Sequence, residues 1–252
     1  MTIAIITGAS AGLGEEFAKR LKDYFPQVER AWLIARRRER LEVLAESLPD
    51  LPCEILPLDL CDQRSFAVLE EKLAAERHHV AVLINNAGCG YLGDVGQGDL
   101  RQQTRMTDLN VTALTAVTHL TIPYMAAGSR IINVSSIASF CANAHMTVYS
   151  STKAYVSSFT RGLAYELKGR GITVTAVCPG PMATEFLDVG HIKGNSRTFA
   201  MLPYCDPEKV AAGTLAAARA GKVFYTPTGF YKLYRCLAKL LPHALVVHMA
   251  KC

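Results

Sequence analysis

The chain lacks the marks of a secreted, membrane-spanning or metal-bound protein. No apolar run reaches the roughly 18 residues that a bilayer span requires, because His119, His243, His248 and several charged residues interrupt the candidates. A strand candidate begins at Thr2 with no basic n-region, apolar h-region and cleavage site ahead of it, so the cytoplasm is the expected location. The eight cysteines (Cys53, Cys61, Cys89, Cys141, Cys178, Cys205, Cys236 and Cys252) include no Cys-x-x-Cys pair. Several sit in apolar runs, which reads as buried free thiols of a reducing compartment. The seven histidines lack ligand spacing, so no metal is expected. The net charge of +5 is local, arising partly from Arg36, Arg37, Arg38 and Arg40 and partly from carboxyl-terminal lysines, and calls for no nucleic-acid partner.

What the chain has is alternation. With 252 residues, 50% hydrophobic and 19% charged, it suits one domain over residues 1–252 with no separating linker. Strand patterns fall at Thr2 to Thr7, Ala31 to Ala35, Cys53 to Leu58, Val80 to Ile84, Arg130 to Val134, Ile172 to Val177 and Lys222 to Tyr225. Helical patterns lie between them, including a capped start at Asp62, one long helix from about Leu100 to Met125, another from Tyr149 to Lys168, and a start at Asp206-Pro207-Glu208. Strands separated by helices predict an α/β fold, a Rossmann-like, doubly wound, seven-stranded parallel sheet with helices on both faces.

Tyr149 and Lys153 stand four residues apart, which on a helix puts the ammonium on the same face as the phenol one turn on. A neighbouring cation favours the phenolate and fits Tyr149 for proton transfer. Taken alone, such a pair is commonly surface decoration. Its context is a turn, Thr7-Gly8-Ala9-Ser10-Ala11-Gly12-Leu13-Gly14, between the first strand and a helix, where backbone amides approach a pyrophosphate under a favourable helix dipole.

That turn departs from G-x-G-x-x-G and resembles the T-G-x-x-x-G-x-G of the short-chain dehydrogenase/reductase family. Further matches follow in order: Asn85-Asn86-Ala87-Gly88, Asn110, Ser136, Tyr149, Lys153, then Pro179-Gly180 and Thr184. Each lies at a strand's carboxyl end or in the next helix, the rim where a doubly wound sheet binds ligands.

The resemblance implies roles. Ser136 would hydrogen-bond a substrate carbonyl; Ser135 beside it reads as structural, and the 13-residue separation from Tyr149 favours Ser136. Tyr149 would be the general acid or base, and Lys153 would lower the phenol pKa and bind the nicotinamide ribose. Asn110 would kink its helix and hold a water leading to Lys153, or else be a buried asparagine satisfying backbone. Gly8, Ser10, Gly12, Leu13 and Gly14 would line the cofactor, with Leu60, Asn86, Ala87, Gly88, Pro179, Gly180 and Thr184. Asp59 matches an adenine contact, against a capping or loop-stabilising role.

The end of strand two bears Ala35-Arg36-Arg37 where an acidic residue would select NAD. Guanidinium forks suit a 2′-phosphate, which favours NADP(H). The implied activity is NADP-dependent interconversion of a carbonyl and an alcohol; the alternative is a non-catalytic NADPH-binding sensor or scaffold. Residues 182–205, with Phe186, Leu187, Ile192, Phe199, Met201 and Leu202, read as an apolar substrate lid, which suggests a hydrophobic ketone, aldehyde or alcohol. Residues 229–252 read as an amphipathic helical extension whose stripe of Phe230, Leu233, Tyr234, Leu237 and Leu240 or Leu241 is expected to pack on its own domain or a sister subunit in preference to a membrane surface. Family relatives pair into homodimers or homotetramers through their two long helices, which the resemblance extends to this chain.

Overall fold

Along β1 (Thr2–Thr7), Ala4 and Ile6 enter one core while Ile3 and Ile5 enter another. A period of two with both faces buried is what a central parallel strand requires. The computed structural model describes residues 1–190, 192 and 201–249. After β1 come α1 (Gly12–Tyr24), β2 (Arg30–Ile34), α2 (Arg38–Glu46), β3 (Cys53–Leu56), α3 (Arg64–Glu76) and β4 (His79–Asn85). Then follow α4 (Leu100–Thr107), α5 (Leu114–Thr121), β5 (Arg130–Val134), α6 (Thr147–Glu166), β6 (Thr173–Val177) and α7 (Glu185–Val189). The chain continues through α8 (Pro207–Arg219), β7 (Phe224–Tyr225), α9 (Gly229–Leu240) and α10 (His243–Met249).

The seven strands lie in the order β3-β2-β1-β4-β5-β6-β7, every neighbouring pair parallel. The chain works outward from β1 to β3, then returns to the other side of β1 as β4, so the order reverses there and the strand ends part to leave a crevice. On one face Phe17 and Leu21 of α1 meet Val210 and Leu215 of α8. On the other, Leu69 and Leu73 of α3 join Val117 of α5 and Leu163 of α6 around Trp32 and Leu83.

Several sequence boundaries shift for local reasons. The long helix expected from Leu100 to Met125 widens into a π turn over Asp108–Ala113, between α4 and α5, and tightens into a 3₁₀ turn at Ile122–Tyr124. The helix expected to open at Tyr149 opens two residues earlier, at Thr147. β3 stops at Leu56 because the Leu58 amide turns back to the Leu56 carbonyl (2.9 Å). At the other edge, the Lys222 amide still bonds the Ala217 carbonyl (3.0 Å), so β7 begins only at Phe224. α3 starts at Arg64, whose amide donates to the Asp62 carboxylate (3.0 Å). The stretch read as a lid over residues 182–205 contains α7 and a bridge between Met182 and Cys205. Among the described residues no helix is long and apolar enough to cross a membrane.

Candidate active site

At the carboxyl ends of the central strands lies a cavity of about 550 Å³. Its floor begins with the glycine turn, which is clamped to the end of β4. The Thr7 hydroxyl accepts the amides of Asn86 and Ala87 (both 3.0 Å), and the Asn86 side-chain amide donates to the carbonyls of Thr7 (3.1 Å) and Gly8 (3.0 Å). Gly8 sits at φ +66°, and a Cβ on Gly14 would come within 2.2 Å of the Gly8 carbonyl oxygen and 2.5 Å of Asn86 Nδ2. The turn therefore closes only without side chains at these points. No side chain caps α1, and Ala11, Gly12 and Leu13 at its start line the cavity. Uncapped amides at a helix start attract an anion.

The wall beside β2 is basic. Arg36 lines it, exposed to the cavity. Arg37 does too, but its guanidinium is engaged, donating to the Glu185 carboxylate (2.9 Å) and the Ser10 hydroxyl (3.2 Å); Arg40 holds the other Glu185 oxygen. The Arg37 hydrogen bond, aided by that of Arg40, outweighs desolvation and keeps the Glu185 carboxyl below its ordinary range. Asp59 accepts the Cys61 amide (3.0 Å) and pairs with Arg105 (3.3 Å). Desolvation alone would raise its pKa; the amide and the guanidinium outweigh it and hold the carboxyl low. The loop-stabilising reading of Asp59 is thus visible, on a residue that also lines the cavity.

Ser136, Tyr149 and Lys153 form the wall beyond β5. The Lys153 ammonium is buried, donates to the Val134 carbonyl (2.9 Å) and lies 5.8 Å from the centre of the Tyr149 ring. Burial pulls the lysine pKa down to about 8. The Ser136 hydroxyl accepts the Ala138 amide (3.1 Å), ordering the turn that follows β5. Ser135 instead donates to the Lys153 carbonyl (2.9 Å) and pairs with the Ser157 hydroxyl, both inside the core.

Seventeen of the nineteen cofactor and catalytic candidates line the cavity, and two do not: Gly14 and Asn110. Gly14 supports the turn from behind. Asn110, in the π turn, accepts the Cys89 amide (2.9 Å) and donates to the Cys89 carbonyl (2.8 Å) and the Thr152 hydroxyl (3.0 Å). Its side chain satisfies backbone, one of its two sequence readings. Leu60, Gly88, Pro179, Gly180 and Thr184 all reach the cavity, and a Cβ on Gly12 would come within 3.2 Å of the Thr184 side chain.

The remaining wall is mainly apolar: Met146, Phe186, Leu187, Leu202 and Phe230, with Tyr91, Tyr231 and Tyr234 and the amide of Asn143. The Phe186 ring stands 5.7 Å from that of Tyr149. Of the lid residues, Ile192 packs into the cluster behind Tyr149, Met201 points outward at 85% exposure, and Phe199 lies outside the described residues. His145, at φ +64° on the mouth loop, meets the Asp94 carboxylate (2.6 Å). Sequence reasoning missed Arg105, Glu185 and Tyr231. Arg105 and Glu185 were adjacent in pattern to Asn110 and Thr184, but Tyr231 falls off the apolar stripe and carries no signal of its own. Among the described residues no group of three or more His, Cys, Asp or Glu is placed to hold a metal ion.

A family model described as short chain dehydrogenase matches residues 2–190. Sulfoacetaldehyde reductase 2 of Chromohalobacter salexigens is 33% identical over 234 residues, covering 90% of this chain and 88% of that protein. A short-chain dehydrogenase from Sphingobium yanoikuyae, solved in complex with NADPH, superposes with a TM-score of 0.80 at 26% identity, over 97% of this chain and 98% of that one. The bulky-bulky ketone specific alcohol dehydrogenase of Comamonas testosteroni follows at a TM-score of 0.75 and 26% identity, over 97% and 96% of the two chains.

Proposed function

The chain belongs to the short-chain dehydrogenase family of oxidoreductases, and we propose that it interconverts a carbonyl and an alcohol on an apolar substrate with NADP(H) as cofactor. One observation carries the reading: Ser136, Tyr149 and the buried Lys153 share a wall of a cavity whose other end offers an uncapped helix start and a basic corner.

The residues fit the cofactor. The α1 amides suit the pyrophosphate, and a Cβ at Gly8 or Gly14 would fill that cradle. Arg36 and Arg37 suit a 2′-phosphate, and no acidic side chain stands at the end of β2 to repel it. When bound, the nicotinamide supplies the hydride. Tyr149 then gives its proton to the carbonyl oxygen in reduction and takes it back in oxidation, while the Ser136 hydroxyl donates to that oxygen and steadies its developing charge. Lys153, fixed by the Val134 carbonyl, keeps a positive charge beside the phenol below about pH 8.

The substrate class follows from the lining. Among the described residues the cavity wall holds four cations, Arg36, Arg37, Arg105 and Lys153; Arg36 and Arg37 follow β2, and Arg105, on α4, pairs with Asp59 beyond β3. Among the described residues those packed around Tyr149 are Met146, Phe186 and Leu187, so a substrate anion finds no arginine among them. This favours a bulky apolar ketone of the kind named for the Comamonas enzyme over the anionic sulfoacetaldehyde named for the Chromohalobacter one. Pairing of copies through α4, α5 and α6 completes the reading as a homo-oligomer, and sedimentation velocity tests it.

Tyr149→Phe decides the activity. NADPH should still bind while turnover of apolar ketones, followed at the nicotinamide absorbance, disappears; normal turnover would refute the mechanism, and a wild type that binds NADPH but turns over no carbonyl or alcohol in a broad panel would favour the sensor. Arg36→Ala should raise KM for NADPH far more than for NADH.

A further inference from the structure

Helix α9 turns outward the face that was expected to be covered. Phe230, Leu233, Leu237 and Leu240, spaced three and four apart, form one stripe with exposures of 43% to 81%. The opposite face does the packing. Tyr231 is fully buried and donates to the Pro203 carbonyl (2.6 Å), Tyr234 meets the Phe140 ring at 5.9 Å, and Ala238 joins Cys141 and Val246. Leu245 of α10 adds an exposed apolar side chain, 48% accessible. Four exposed large apolar residues on three turns of helix are a patch that needs an occupant.

Charge indicates which one. Glu208 is the last acidic residue of the chain, and after it come Lys209, Arg219, Lys222, Lys232, Arg235, Lys239 and Lys251. Removing those seven from the 27 basic residues leaves 20 against 22 acids, so the rest of the chain is slightly negative and the whole positive excess lies in the carboxyl-terminal segment. Lys232 and Lys239 are exposed on α9 beside the stripe, and Arg235 is held against the rings of Phe224 (4.4 Å) and Phe140 (5.9 Å). A second copy of the chain is a poor occupant: two-fold pairing would set identical cations against each other with no acid to answer them, over a strip small beside the roughly 1,200 Å² of a stable interface.

We infer that α9 docks the protein on an anionic lipid surface, with Leu233, Leu237 and Leu240 entering the headgroup boundary and Lys232 and Lys239 meeting lipid phosphates. This is the arrangement of an interfacial amphipathic helix, an apolar stripe flanked by lysines. Phe230 belongs both to the stripe and to the cavity wall, and Tyr231 and Tyr234 line the cavity from the same helix. Docking therefore brings the cavity mouth to the lipid, where an apolar carbonyl concentrates; this consequence, unlike the docking, rests on the proposed function.

The test is co-sedimentation of the full chain with phosphatidylcholine vesicles and with mixed phosphatidylcholine–phosphatidylglycerol vesicles, without any turnover readout. Binding should be confined to the mixed vesicles and fall with salt. Lys232→Ser and Lys239→Ser should each weaken it about fivefold, and Leu233→Asp with Leu237→Asp should weaken it more than tenfold, with NADPH affinity unchanged as the control for folding. Should the leucine variant misfold, the exposed lysine variants decide. Absence of vesicle binding, equal binding to both vesicle types, or binding indifferent to these substitutions would overturn the inference. So would a leucine variant whose only change is dissociation of an oligomer in sedimentation velocity, which would assign the stripe to a second copy.

Discussion

Replacing Lys153 with methionine removes a charge that the folded chain holds under strain. Burial lowers the lysine pKa from 10.5 to about 8, and at 1.36 kcal/mol for each pH unit the difference is about 3 kcal/mol. The sign follows from proton binding. Below about pH 8 the folded and unfolded chains both keep the proton and the destabilisation is complete; between about 8 and 10.5 the folded chain releases it while the unfolded chain keeps it, so stability rises with pH. Cys53 and Cys89, pushed up to about 11 by burial, act in the opposite direction at the alkaline end. Subtracting the variant from the wild type cancels them. The lost hydrogen bond to the Val134 carbonyl costs the variant about 1 kcal/mol and varies little with pH. In urea unfolding of the cofactor-free proteins, Lys153→Met should be the more stable near neutrality, with the gap shifting by about 3 kcal/mol in favour of the wild type by pH 10.5. The variant should not turn over substrate at any pH. A stability difference that stays flat across this range would refute the strained ammonium.

Gly14→Ala drives a Cβ into the Gly8 carbonyl and Asn86, and should cost about 1–3 kcal/mol by thermal unfolding and weaken NADPH tenfold or more. Gly162→Ala, on α6 with nothing within 4 Å, should instead gain about 0.5–1 kcal/mol. Glu185→Gln releases the carboxylate that occupies Arg37 and Arg40, so NADPH should bind about threefold to tenfold tighter by fluorescence titration at low salt with NADH little changed. Asn110→Ala strands the amide and carbonyl of Cys89 inside the core, and urea unfolding should show a loss of about 2–4 kcal/mol.

Much of the site was legible because its residues answer local demands. A strand, a glycine turn and a helix are short-range events, so the positions from Thr7 to Gly14 could be read as an anion cradle from spacing alone, and the i, i+4 relation of Tyr149 and Lys153 survives whichever residue opens the helix. The π turn at Asn110 was less legible, since the residues around it suit an ordinary helix and the widening accompanies a side chain that bonds the Cys89 backbone 21 positions earlier.

What the sequence by itself determined was the alternation of elements, the parallel sheet and the rim on which Ser136, Tyr149, Lys153 and the glycines assemble, because hydrophobic period, caps and turn residues act between near neighbours. Only the tertiary structure decided which partner each long side chain takes. Arg37 was readable as a phosphate ligand, yet Glu185, 148 residues away in the chain, holds it. The helix at Phe230 to Leu240 was correctly amphipathic, yet its buried side is the one with Tyr231 and Ala238. A stripe of leucines carries the same period whether it faces a core or water, and only the packing of the tyrosines against Pro203 and Phe140 settles which way the helix is turned.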